Sequence, residues 1–345
     1  VVCTFCHERE AARAIGFCAD CLRAAGAVPD PEACHGPVRA HFRLPANPPA
    51  GRGGISCGLC ANDCRLGPGQ TGYCGLHFER NGRLAHAVQP GNALARMYFD
   101  PLPTNCCASW FCRGSGERGS NLAVFFYGCN LDCLFCQNAS HKELAGAPVL
   151  DVEAMVQAAL EPHVRCVCFF GGSPEPQLPY ALEVSRRIVE RSGNTKRICW
   201  EWNGCGSPKL VERAAELSMR SGGVVKFDLK AFHPGIARAL CGVDTARSFE
   251  NFSRVAATFR ERDLLTATTL LVPHYVDAPE VEAIARFIAA LDAEIPCSLL
   301  IFHPDFQMRD LPVTPRGQID ACLEAARGHL RRVNLGNAHL LRFAA

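Results

Sequence analysis

Cys129, Cys133 and Cys136 stand in the run YGCNLDCLFCQN, directly after the apolar, strand-like segment 122–127. A C-x3-C-x2-C spacing wraps three thiolates around one cuboidal iron–sulfur cluster and brings no fourth thiol nearby, whereas ferredoxin-type clusters are held by four cysteines. One iron is then left open. An open iron on a reducible cluster is suited to chelating the amino and carboxylate groups of S-adenosylmethionine and to passing an electron into its sulfonium, and both groups serve radical chemistry in proteins. The competing readings of this run are a three-cysteine zinc site and reduced core thiols, since short motifs also arise by chance.

A cluster of this kind needs a rigid frame. Apolar runs predict strands at 122–127, 165–170, 197–202, 223–228, 265–272 and 297–302, and amphipathic stretches predict helices near 151–160, 178–191, 208–220, 247–260, 279–291 and 315–330. Continuous apolar strands alternating with helices predict a parallel sheet covered on both faces. Six such repeats predict an α/β fold of barrel or open partial-barrel type, with ligands at the carboxyl ends of the strands. Before residue 120 the chain is rich in cysteine, glycine and proline (ANPPAGRGG at 46–54, GPGQTG at 67–72) and reads as loop-rich small modules. The organisation expected is a cysteine module at 1–50, an accessory segment at 51–118 and the barrel at 119–345.

Further chemistry falls at the predicted strand ends. GGSPEPQ follows the second strand, where Gly171 and Gly172 let the backbone approach a ligand before Ser173, Pro174 and Glu175; alone, such a glycine turn is usually only a turn. Glu201, Trp202, Asn203 and Gly204 end the third strand, and Asp228, Leu229 and Lys230 the fourth. Charged groups there suit ribose hydroxyls and a carboxylate in a dry pocket, or simply pair with each other. His303 and Asp305 end the sixth strand in FHPD, with a structural and a functional histidine equally open.

Taken together, GLCANDC (58–64), GQTGYCG (69–75), YGCNLDCLFCQN (127–138), GGSPEPQ (171–177), FDLKAF (227–232), TTLLVP (268–273), FHPDFQMRDLPVT (302–314) and LGNAH (335–339) resemble the AmmeMemoRadiSam-system radical enzymes. These are relatives of the pyruvate formate-lyase activating enzymes within the radical S-adenosylmethionine superfamily, whose signature the cysteine run with Phe135 also resembles. The likeness spans about residues 55–340. It implies a partial (β/α)6 TIM-type barrel of the radical SAM type, a 4Fe-4S cluster on Cys129, Cys133 and Cys136, and reductive cleavage of S-adenosylmethionine. It also implies a GGSPE turn holding the methionine amino group, and a pocket lined by Glu201, Asp228, Lys230 and His303. Two departures stand out: LPTNCCASWFC follows Asp100-Pro101 where a charged run is expected, and Glu201 replaces the usual aspartate.

The other cysteines are unusually many, 22 in 345 residues. With no secretory leader visible, their spacings favour metal over disulfide. Cys57, Cys60, Cys64 and Cys74 form a four-thiolate set that suits zinc or a second iron–sulfur cluster. Cys3, Cys6, Cys18 and Cys21 pair two C-x2-C knuckles and resemble a zinc ribbon or rubredoxin-like module, zinc being expected because a small loop-rich segment needs a staple. Cys106, Cys107 and Cys112 read as part of an auxiliary cluster with Cys34 or His35 as a fourth ligand, as participants in substrate chemistry, or as plain loop thiols. Cys166, Cys168, Cys199, Cys205, Cys241, Cys297 and Cys322 read mostly as small buried hydrophobes.

Composition bounds the partners. A net charge of +2 leaves nucleic-acid binding unsupported, and 48% hydrophobic content suffices for a full core. There is no run of eighteen apolar residues, so no membrane span and a cytoplasmic location are expected. The chain begins at Val1, which leaves room for an upstream piece. A radical enzyme also needs a reductant such as flavodoxin or ferredoxin, and the activating-enzyme likeness points to a protein substrate. From a different class, the chain reads as a zinc-organised binding protein with an inactive barrel.

Overall fold

A computed structural model describes residues 1–24, 30–104 and 106–344. The N-terminal segment carries helices α1 (Ala19–Arg23) and α2 (Pro31–His41) and two small hairpins, β1 (Ile55–Ser56) with β2 (Arg65–Leu66) and β3 (His77–Arg80) with β4 (Arg83–His86). The rest centres on one nine-stranded sheet. In chain order its strands are β5 (Asn92–Pro101), β6 (Ser120–Phe126), β7 (Val149–Asp151), β8 (Val164–Gly171), β9 (Arg197–Trp202), β10 (Val225–Asp228), β11 (Leu265–Leu271), β12 (Cys297–Ile301) and β13 (Val333–Gly336). Their order in space is β13-β12-β11-β10-β9-β8-β6-β5-β7. All pairings from β6 to β13 are parallel, and β5 and β7 are added antiparallel.

The six strands expected from apolar runs are thus six neighbours of one parallel sheet. Helices α3 (Val152–Leu160), α4 (Leu178–Ser192), α5 (Pro208–Ser221), α6 (Pro234–Cys241), α7 (Ala246–Thr258), α8 (Ala278–Asp292) and α9 (Arg316–Arg327) connect them. Asp151 caps α3 by accepting from the Glu153 and Ala154 amides, and left-handed glycines end α4, α5 and α6.

Strand alternation divides the sheet into two faces. On one, Phe126, Phe169, Trp200 and Trp202 form a stacked aromatic row, with neighbouring centroids 4.6–6.1 Å apart. That row packs under the helices: Tyr180 of α4 meets Phe126, Trp200 donates to Ala214 O of α5, and Phe252 of α7 meets Phe227. The opposite face of β8–β10 lines two cavities instead of a second helix layer. It is crossed by the 106–117 segment, where Trp110 donates to Ser298 Oγ, Ser298 Oγ donates to Cys107 O, and Glu117 pairs with Arg197.

Three elements depart from the sequence reading. β5 lies within the segment expected to be loop-rich, because NALARMYFDP lacks the β-branched enrichment of its neighbours and its partners are supplied by β6 and β7. α6 was not expected in the short run after FDLKAF, and β13 extends the parallel sheet beyond six strands. Among the described residues no helix is long and apolar enough to cross a membrane.

Candidate active site

The loop after β6 carries the cysteine triad, and the loops after β8, β9 and β10 converge on it. One cleft of about 180 Å³ is lined by Cys129, Cys133, Phe135 and Cys136 of the first loop, Gly171, Gly172 and Ser173 of the second, Glu201 and Asn203 of the third and Asp228 and Lys230 of the fourth. Residues 129 to 230 therefore meet at the carboxyl edge of a parallel sheet, where strand register places them. Pro174, Glu175 and His303 are not among its lining residues. His303 stands half-buried after β12 with Nδ1 3.4 Å from Pro304 O, and this segment reaches the cluster loop through its backbone, Gln307 N donating to Leu134 O.

Carboxamides knit the loops together. Asn203 Nδ2 donates to Asn130 Oδ1 at 2.7 Å and to Ser173 Oγ at 3.0 Å, and Asn62 Nδ2 donates to Asn130 O at 2.7 Å. Gly171 and Gly172 are needed for the approach of β8 to this loop: a Cβ at Gly171, with φ +115°, would stand 2.5 Å from Phe126 N, and one at Gly172 2.2 Å from Gly128 O. α6 supports the triad from behind, Cys241 O accepting from Asp132 N and Leu240 O from Leu134 N. Cys241 Sγ lies 3.6 Å from Cys133 Sγ, fully buried and outside the cleft lining. The Cys241 thiol draws Cys133 down to about 7, while burial pushes Cys136 up to about 11 and Cys129 well above its usual range.

Sequence reasoning missed the anchor of the loop. Asp132, fully buried between Cys129 and Cys133, pairs with Lys142, with His35 Nδ1 at 2.9 Å and with Arg39 at 3.4 Å. Arg39 also lies over the Tyr73 ring, 3.3 Å from its centroid. Gly242 is obligatory beside this network, since a Cβ there would meet the Tyr73 hydroxyl at 2.9 Å. His35 is consequently committed to Asp132 and Ala239 O, and Cys34 lies against Ile15 O, so neither joins Cys106 and Cys112. An acidic residue inside the C-x3-C run was the available signal; of its partners, His35 and Arg39 lie about a hundred residues upstream and Lys142 ten residues downstream.

The cleft suits a polar, charged ligand. Asp228 Oδ1 and His141 Nδ1 are buried without a hydrogen-bond partner among the described residues, and both residues line it. Lys230 pairs with Asp228 and stands over the Phe135 ring, 5.4 Å from its centroid. Glu201 is shared, lying 3.4 Å from Lys226. Three thiols with polar strand ends fit a three-cysteine cluster and an amino-acid-bearing ligand.

Glu175 sits just behind the cleft. Burial pushes its carboxyl up from 4.5 to about 7; Oε1 accepts from Gly204 N at 2.7 Å and Oε2 has no partner among the described residues. A raised folded-state value means a contribution fully present below pH 4.5 and lost as pH rises through 7. Glu175→Gln is expected to remove that loss. Its unfolding free energy should gain about 3 kcal/mol on the parent between pH 4.5 and pH 8, read by urea denaturation of the cluster-free protein. Parallel pH curves would contradict it.

The N-terminal cysteines form a separate centre. The ligand atoms of Cys3, Cys6, Cys18 and Cys21 all lie within 4.8 Å of one another, with Cys3–Cys21 at 3.8 Å and Cys6–Cys18 at 3.9 Å. Those distances match the edge of a single-ion tetrathiolate, about 3.8 Å for a metal–sulfur bond of about 2.3 Å. The module docks on the sheet through Tyr275, whose hydroxyl accepts from Ala12 N at 2.8 Å and donates to Phe17 O at 2.9 Å. Stripping metal with a chelator is expected to speed tryptic cleavage at Arg9, Arg13 and Arg23 at least about tenfold while the sheet stays protected, because metal affinity here is folding free energy. Unchanged cleavage would separate the module's fold from metal.

Cys57, Cys60, Cys64 and Cys74 are brought together more loosely. Their thiols are pushed up by burial and by one another, Cys74 to about 12. Among the described residues no group but the N-terminal four has its ligand atoms within 4.8 Å. This hairpin docks on the β9–α5 loop, Ala61 N donating to Cys205 O and Ser207 N to Leu59 O.

With this geometry in place, comparison with known proteins gives the class. Residues 123–288 match the family model of the Radical SAM superfamily, so this part of the chain carries a radical SAM domain. An uncharacterized protein of Methanocaldococcus jannaschii is 23% identical over 298 residues, covering 82% of this chain and 81% of its own. Among solved structures, a domain of a pyruvate-formate lyase-activating enzyme from Bacteroides vulgatus is similar at 16% identity and a TM-score of 0.41, over 50% of this chain and 98% of that one. A radical SAM methyltransferase from Sphaerobacter thermophilus is similar at 16% identity and a TM-score of 0.47, over 62% of this chain and 66% of that one.

Proposed function

We propose that the chain cleaves S-adenosylmethionine reductively and uses the resulting 5′-deoxyadenosyl radical to take hydrogen from a protein, peptide or small-molecule substrate. The observation that carries this reading is the convergence of Cys129, Cys133 and Cys136 with Glu201, Asn203, Asp228 and Lys230 on one cleft, where Asp228 Oδ1 and His141 Nδ1 have no partner among the described residues. When bound, a 4Fe-4S cluster with one iron free of protein ligands supplies the electron and the chelation site for the sulfonium nucleotide.

The chain's own residues have distinct parts. Cys129, Cys133 and Cys136 hold the cluster, and Phe135 seals its inner side, 3% exposed. The Gly171–Ser173 turn presents backbone groups to the methionine amino group, with Pro174 and Glu175 shaping the turn. Lys230 suits the methionine carboxylate and Asp228 the ribose, its free Oδ1 accepting a hydroxyl proton. Burial dries the site, and fixed orientation selects which hydrogen is taken. His303 stands after β12 outside the cleft lining, and only the resemblance of its segment assigns it to the nucleotide. The N-terminal four cysteines hold a structural zinc, and Cys57, Cys60, Cys64 and Cys74 hold zinc or a second cluster.

A reductant of the flavodoxin or ferredoxin kind supplies the electron, in a reducing compartment such as the cytoplasm. Within this reading, the activating-enzyme likeness of the sequence favours a glycyl residue on a partner protein as the hydrogen donor. The test is anaerobic reconstitution with iron and sulfide, followed by dithionite and S-adenosylmethionine. Formation of 5′-deoxyadenosine and methionine is expected. An intact cluster with neither product would end the proposal in favour of a metal-organised binding protein.

A further inference from the structure

Beside the cleft lies a larger cavity of about 320 Å³ that the radical site does not use. The two share Gln137, Asn138, Phe170 and Glu201 as wall. Five cysteines line it: Cys106 and Cys112 from the segment before β6, Cys166 and Cys168 from β8, and Cys199 from β9. The expectation that most strand and helix cysteines are small buried hydrophobes holds for Cys199, Cys205, Cys241, Cys297 and Cys322, whereas Cys166 and Cys168 are only partly buried. β8 turns Val167 and Phe169 to the helices and Cys166 and Cys168 to the cavity, and β9 turns Ile198 and Trp200 outward and Cys199 inward. Register then places Cys199 directly opposite Cys168.

Inward positions of a parallel α/β sheet are ordinarily filled by branched aliphatics. Here β8 and β9 instead set Cys166, Cys168 and Cys199 toward the void, beside Phe170 and Val224. One buried cation compensates them: Lys226, 1% exposed, places Nζ 3.2 Å from Cys168 Sγ, 3.5 Å from Cys106 Sγ and 3.4 Å from Glu201. Every cysteine is free of disulfide, and soft thiolates select zinc, copper(I) or iron–sulfur clusters. No three of these sulfurs lie within 4.8 Å of one another, which is too open for a single ion; the cluster triad Cys129, Cys133 and Cys136 shares that wider spacing. A multi-iron group spans such a spacing, and the cavity has room for it.

We propose that this cavity holds a second iron–sulfur cluster, ligated by thiolates drawn from Cys106, Cys112, Cys166, Cys168 and Cys199, beside the S-adenosylmethionine cleft. It stands apart from the Cys57–Cys74 set, whose thiols lie on the hairpin side of the molecule. Its test does not depend on S-adenosylmethionine cleavage, so either reading can fail alone.

The full chain, reconstituted anaerobically with ferrous iron and sulfide, is compared with Cys166→Ala/Cys199→Ala. The double variant is expected to lose at least two irons and an equal amount of sulfide per chain. Iron and sulfide unchanged from the parent would overturn the site. Because two cavity substitutions can also impair folding, crystals of the parent grown anaerobically give the second measurement. An iron-edge anomalous peak bounded by Cys112, Cys166 and Cys199 supports the proposal, and an iron-free cavity, or a zinc peak there, overturns it.

Discussion

Cys133→Ala is expected to lower the rate of 5′-deoxyadenosine formation by at least about a thousandfold, roughly 4 kcal/mol of barrier, and to strip the iron of the radical site. Cys133 is the central thiol of the triad and lies 9% exposed at the floor of the cleft. With two ligands left, the loop cannot hold a cube and keep one corner for a nucleotide. The neighbouring Cys241, 3.6 Å away, is the one thiol placed to substitute. The double change Cys133→Ala/Cys241→Ala therefore belongs beside the single one, with iron, sulfide and 5′-deoxyadenosine measured for both. Near-parental nucleoside formation by the double variant would remove the triad from the chemistry.

Asp132→Asn should destabilise the fold by about 3–5 kcal/mol, the usual result of taking one partner from a buried ion cluster. The loss arises because Lys142 and Arg39, both about 1% exposed at the side chain, would keep their charges with no anion to face. Burial acts to raise the Asp132 carboxyl, but His35, Lys142 and Arg39 together hold it well below the usual carboxylate range. A depressed folded-state value contributes stability above the unfolded value of 3.8 and loses it as pH falls below that. Parent and variant should accordingly differ most near pH 7 and converge in acid, as read by urea denaturation of the cluster-free protein. A difference under about 1 kcal/mol at pH 7 would mean that Asp132 is not the anchor. Looser binding of iron by the variant is expected too, since this aspartate ties the triad to α2.

How much of this could be read in advance follows the range of the interactions. The triad, the glycine turn, EWNG and DLK are short runs, and the strands before them show apolar continuity over five to eight residues. Local spacing and periodicity therefore sufficed for the parallel sheet, and eleven residues singled out from these runs and from the family resemblance line the cleft. β5 escaped because its stability comes from two partner strands and not from its own side chains. α6 escaped because a helix of eight residues leaves little periodic trace.

The chain order alone establishes which residues can do chemistry: three thiols with one gap to spare, and charged groups at strand ends. Which groups meet was decided by tertiary structure. Asp132 finds His35 and Arg39 from α2, Asn130 finds Asn62, and thiols on β8, β9 and the segment before β6 share one cavity only because the sheet's register and the crossing segment bring them there. Spacing along a chain encodes chelation within one loop, whereas contact between loops sixty to a hundred residues apart depends on packing that no local pattern records.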